Sequence, residues 1–111
     1  MLSNGAVKSI YQLATGIKIF SHDGQTFDVG DGFGVHFEVD MGKWAVTRRW
    51  TTYDNGTGGW DAGHDFIDAD DGGGRFDTFE SALRTALSLE FDARLDRAYS
   101  EIGEAEQVEE T

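Results

Sequence analysis

The sequence predicts an α+β domain. Three observations carry that prediction: an alternating stretch from Phe33 to Tyr53, shorter strand-like runs before it, and an apolar stripe at helical spacing from Phe79 to Ile102. The expected order is a short N-terminal helix, four or five antiparallel strands, and one long C-terminal helix lying across the apolar face of the sheet.

The alternating stretch is the clearest element. Phe33, Val35, Phe37 and Val39 alternate with Gly34, His36, Glu38 and Asp40, and after Met41-Gly42 the series resumes with Trp44, Val46, Arg48 and Trp50. Period two with aromatic and β-branched residues marks a half-buried antiparallel pair. A two-residue Met41-Gly42 turn would set Val39 opposite Trp44, Phe37 opposite Val46, Val35 opposite Arg48 and Phe33 opposite Trp50, with Asp40 facing Lys43.

The other elements follow in order. Ser3 to Thr15 reads as a short helix, with Ala6, Ile10, Leu13 and Ala14 on one side, a Ser3 or Asn4 cap and Gly16 as the stop. Ile17 to Phe20 and Thr26 to Val29 read as strands around an Asp23-Gly24 turn. A two-residue loop there would place Asp28 beside Ile19, so a longer loop or a bulge is expected. Asp54 to Gly74 reads as irregular, with Trp60 alone in a polar run and a short strand near His64 to Ala69 that turns Phe66 inward. Asp77 with Glu80, or Thr78 with Ser81, can start the long helix. Its stripe is Phe79, Leu83, Ala86, Leu87, Phe91, Leu95, Tyr99 and Ile102, and Glu80–Arg84 and Glu90–Arg94 are suited to i,i+4 pairing. Gly103 is the expected stop, giving a single domain over 1–103 and an acidic disordered tail over 104–111. The helix stripe would meet Phe33, Val35, Phe37, Val39, Trp44, Val46 and Trp50.

Charge is the strongest compositional signal. The net charge is −12, with five acids and five bases in residues 1–53, and sixteen acids against four arginines in residues 54–111. All of the excess therefore lies in the second half. Such a field repels nucleic acid and anionic membranes and attracts basic surfaces. The chain has no Cys, which excludes disulfides, thiolate catalysis and cysteine zinc sites, and no Pro. It has neither a leader-like start nor an apolar run long enough to span a bilayer.

Specific chemistries fare poorly on spacing. An EF-hand loop begun at Asp68 finds Asp70 at position 3 but Gly72 at position 5 and Phe79 at position 12, so two of four key ligands are missing. His22, His36 and His64 fall on different elements without paired spacing, with His36 expected on a solvent face and the others in turns. No metal and no cofactor is expected. The His22-Asp23 and His64-Asp65 doublets lack the larger helical frame of a metal-dependent phosphohydrolase, and no nucleophile motif is present. The expectation is a protein without enzymatic activity.

Two resemblances bear on function. Gly42-Lys43-Trp44-Ala45-Val46-Thr47-Arg48-Arg49-Trp50, with Phe76 to Leu83 after it, resembles the strand–strand–helix arm domains of phage integrases, whose three-stranded sheets read DNA. Those domains are basic, whereas this chain's charge opposes phosphate contacts, so direct nucleic-acid binding is not expected. The whole-chain profile — short, single-domain, acidic — is similar to phage-encoded inhibitors of host defence, particularly anti-CRISPR proteins. That resemblance implies a viral protein acting as a DNA mimic on the basic surface of a nucleic-acid-handling complex, in the cytoplasm of the host cell. The candidate partner-binding residues are Asp54, Trp60, Asp61, Asp65, Asp68, Asp70, Asp71, Asp77 and Glu80. The alternative is a generic interaction module or accessory subunit whose acidity serves solubility, as in proteins of salt-loving organisms.

Overall fold

The structure, a computed structural model, describes residues 2–54 and 59–109, with side chains described for 2–50 and 62–103. Helix α1 (Asn4–Thr15) leads into strands β1 (Ile19–Ser21), β2 (Thr26–Val29), β3 (Phe33–Glu38), β4 (Lys43–Asp54), β5 (Gly59–Phe66) and β6 (Arg75–Phe76), and helix α2 (Phe79–Glu109) closes the chain. The sheet is antiparallel in the order β1-β2-β3-β4-β5, with β6 pairing β4 beyond the end of β5. This is the expected α+β arrangement.

Ser3 Oγ caps α1 by accepting from the Ala6 N–H (3.1 Å), and Gly16 ends it at φ 72°, a left-handed conformation that glycine adopts without strain. The expected apolar side is not the buried one: Ile10 and Leu13 are exposed, and α1 buries Val7 with Tyr11 packed beside it. Tyr11 OH donates to Glu80 Oε2 (2.7 Å), which ties α1 to the start of α2 and selects this stripe over its rival.

Asp23 Oδ1 accepts from the Gln25 and Thr26 N–H groups and holds a loop longer than two residues between β1 and β2. Ile19 therefore pairs with Val29 in the core, while Phe20 and Asp28 share the opposite face.

The β3–β4 register differs from the expectation by two residues. Phe37 pairs with Trp44, Val35 with Val46, Phe33 with Arg48 and Glu38 with Lys43. A two-residue hairpin turn would demand positive φ at Met41. No described non-glycine residue has it, and a four-residue connection with only Gly42 at φ 63° forms instead. A shift of two preserves which side chains share a face. It does expose Val39 and leaves Trp50 at the rim, so neither joins the core as expected.

The largest departure lies between Tyr53 and Gly74. What reads as loop is mostly ladder: β4 runs on to Asp54 and pairs with β5 from Thr47↔Phe66 to Asp54↔Gly59. Phe66 lies on the outer face, exposed, with the Arg75 guanidinium 4.5 Å from its ring centre, so it does not point inward. Between β5 and β6 the chain makes an excursion through a 3₁₀ turn (Ala69–Asp71), and Ile67 anchors it in the core.

The core joins Ile17, Ile19, Phe27, Val29, Phe33, Val35, Trp44 and Val46 to Phe79, Ala82, Leu83, Ala86 and Leu87 of α2. Thr78 Oγ1 accepts from the Ser81 N–H and starts α2. Glu80 goes to Tyr11, and among the described residues the expected Glu80–Arg84 pair does not form. Glu90–Arg94 does, at 3.0 Å. Glu90 is buried and also accepts from the Asp31 and Gly32 N–H groups (3.2 Å each), clamping the β2–β3 turn onto the helix. Gly103 does not stop α2. It lacks the positive φ of a helix-ending glycine, and the helix continues to Glu109.

Candidate functional site

Two surfaces gather groups that the fold itself does not consume. The first is the outer half of α2. At 1.5 Å per residue the helix is about 46 Å long, and only its first three turns rest on the sheet. Beyond Glu90, Ala93 still packs on the core, but the large apolar positions face solvent: Phe91 is 58% exposed, Leu95 41%, Tyr99 72% and Ile102 63%. The expectation that Phe91 and Leu95 complete the core is thus corrected. Their spacing is helical, but no strand lies beneath them. Leu95, Ala98, Tyr99, Ile102 and Gly103 line a shallow apolar recess of about 360 Å³. Asp92, Asp96 and Glu101 are exposed on the same segment, as are Arg94, which pairs with Glu90, and Arg97.

Of the acidic residues singled out by sequence, Asp65, Asp68, Asp70, Asp71, Asp77 and Glu80 are all exposed. Their settings differ. Asp65 sits opposite Arg48 in the ladder, Asp77 pairs with Lys43, and Glu80 accepts from Tyr11. Asp68, Asp70 and Asp71 stand together on the 3₁₀ turn. The side chains of Asp54, Trp60 and Asp61 lie outside the described residues.

The second surface is the sheet face turned away from α2. Strand parity places Thr26 and Asp28 of β2, Gly34 and His36 of β3, Thr47 and Arg49 of β4, and His64 of β5 on it. His22, just past β1, joins them. His22 Nε2 lies 2.9 Å from Asp28 Oδ2, His64 Nε2 lies 3.0 Å from Asp28 Oδ1, and Arg49 Nη2 lies 3.3 Å from Oδ2. His64 reaches Asp28 across Gly34: a Cβ there would stand 2.7 Å from the imidazole Cε1. His64 Nδ1 is 2.8 Å from Thr47 Oγ1, and Arg49 Nη1 donates to the Gly30 carbonyl (2.7 Å). Burial lowers the His64 pKa below its ordinary value, against the opposing pull of the Asp28 carboxylate, and so favours the neutral ring. His22, Asp28, Arg49, Trp50 and His64 border an open recess of about 340 Å³.

Two of the three histidines therefore converge, against the expectation that all stay apart; His64 lies on strand β5, as the short strand expected near it allows. His36 is half-buried, and its Nδ1 lies 2.8 Å from Thr26 Oγ1. Neither His-Asp doublet acts as a pair: His64 and Asp65 are adjacent on a strand and point to opposite faces, Asp23 accepts from the Gln25 and Thr26 N–H groups, and both imidazoles meet Asp28 instead. The sequence signal for this convergence is Gly34. A glycine inside a regular strand alternation marks a close approach.

Comparison with protein families, with curated proteins and with solved structures gives no match to this chain. Among the described residues, no helix is long and apolar enough to cross a membrane.

Proposed function

We propose that the protein is an acidic binding domain that occupies the basic surface of a nucleic-acid-handling complex. In its most specific form this is an inhibitor of the anti-CRISPR kind, working by DNA mimicry and without enzymatic activity. The observation that carries the reading is the outer half of α2: Phe91, Leu95, Tyr99 and Ile102 stand exposed in the half of the chain that holds all the excess negative charge. Apolar and aromatic anchors give an interface its affinity, and flanking charge gives it rate and partner choice. A basic partner fits both. A second copy of this chain fits poorly, since two bodies of −12 repel. The neutral first half argues against charge spread evenly for solubility.

The test is competition. A purified CRISPR effector complex carrying labelled DNA is titrated with the protein at several ionic strengths. Displacement at low salt that weakens as salt rises is the expected result. Lack of displacement at every low-salt condition would remove the DNA-mimic reading. A dimer in sedimentation equilibrium would assign the α2 stripe to self-association instead.

A further inference from the structure

We propose that His22, Asp28 and His64 form a binding site for a divalent first-row transition-metal ion, independent of the α2 surface. One atom from each, an imidazole nitrogen of both histidines and a carboxylate oxygen of Asp28, can be chosen so that all three lie within 4.8 Å of one another. Two imidazoles and one carboxylate suit zinc, iron(II), cobalt or nickel, and disfavour magnesium and calcium, which take oxygen ligands.

Three features of the surroundings fit a metal better than a plain ion-pair cluster. First, Asp28 Oδ1 is buried and, with the His64 ring proton on Nδ1, has no hydrogen-bond donor, although His64 Nε2 is 3.0 Å away. A buried carboxylate oxygen left without a donor is costly, and a cation between it and the imidazoles removes that cost. Second, the site has supporting contacts behind it. His64 Nδ1 lies 2.8 Å from the fully buried Thr47 hydroxyl; in the tautomer in which Nδ1 donates, the Nε2 lone pair faces the carboxylate, as in histidine ligands oriented by an outer partner. Arg49, anchored to the Gly30 carbonyl, contacts Asp28 Oδ2 and so fixes the carboxylate between the two imidazoles, with His22 at Oδ2 and His64 at Oδ1. Third, the recess bordered by Trp50 and Asp23 leaves room for further ligands such as water, and the net charge of −12 draws cations toward the molecule.

The nitrogen–oxygen separations of 2.9 and 3.0 Å are shorter than the roughly 3.3 Å between neighbouring ligands in a tetrahedral zinc site. Metal entry therefore requires the rings to withdraw by a few tenths of an ångström. His22, on a bend with its side chain 48% exposed, is placed to do so.

The full chain titrated with Co²⁺, followed by visible absorption and by competition with Zn²⁺, tests the site. Stoichiometric binding with ligand-field bands is expected. His22→Ala and His64→Ala should each weaken it at least tenfold, and Thr47→Val by about tenfold through loss of the orienting contact. His36→Ala, on the same face but paired with Thr26, should leave it unchanged. His22 is exposed enough that its removal spares the fold, which a thermal melt verifies. Absence of one-to-one binding overturns the proposal, as does binding indifferent to His22→Ala or dependent on His36. Failure here leaves the α2 reading intact, because neither residue set enters the other's test.

Discussion

The two halves of α2 carry the same apolar spacing and meet opposite fates. From Phe79 to Glu90 the stripe is buried: Ala82, Leu83 and Ala86 have no exposed surface, and even a carboxylate is sealed in at Glu90. From Phe91 to Ile102 the same period continues over open solvent. A helical repeat of apolar residues therefore reports a face, not what covers it. Burial is decided by how far the sheet reaches, and an apolar face without a sheet beneath it is a surface available to a partner.

The largest test of that contrast is Leu83→Ala. It empties a fully buried site on the covered half and should cost about 2.5–5 kcal/mol in chemical denaturation. Next, Glu90→Ala removes the acceptor for two backbone N–H groups and the partner of Arg94, with an expected loss of roughly 2–4 kcal/mol. A loss near zero would mean that the turn at Gly30 to Gly32 is held without the helix. On the outer half, Leu95→Ala and Tyr99→Ala should each change stability by less than about 0.5–1 kcal/mol in the same measurement.

A smaller effect concerns the opposite face of the sheet. His64 has a folded pKa below the ordinary 6.5 because burial disfavours its charged form. Its contribution to stability is full above that value and is lost as pH falls through the lower folded one. Melting temperature should therefore decline on acidification below about pH 6.5, and His64→Gln should flatten that slope. Asn substitutions at Asp68, Asp70 and Asp71 should leave folding unchanged and weaken low-salt displacement of DNA from the partner complex. Unchanged displacement would favour an interaction module without mimicry.

Much of the fold was legible because periodicity survives small errors. The β3–β4 register moved by two residues, yet Phe33, Val35, Phe37, Trp44 and Val46 kept their common face. The β4–β5 ladder is hard to read, because its second strand, Gly59 to Phe66, carries its alternation of Trp60, Ala62 and Phe66 through two glycines and two aspartates, residues depleted in strands. Its partner strand supplies the order. The end of α2 is not legible at Gly103, because a glycine fits a helix interior at a cost of about 1 kcal/mol as well as it fits a stop. The His22–Asp28–His64 convergence joins three strand neighbourhoods through a gap at Gly34. Its residues are far apart in sequence, and only the glycine hints at them.

The most direct measurement pairs folding with competition for the Leu95→Ala/Tyr99→Ala double variant. The account predicts a melting temperature lowered by no more than about 10 °C and at least a tenfold loss in displacing DNA from the effector complex, as expected for two interface anchors. Full displacement by the variant, or a collapse of its melting temperature, would contradict the assignment of the outer half of α2 as the binding surface.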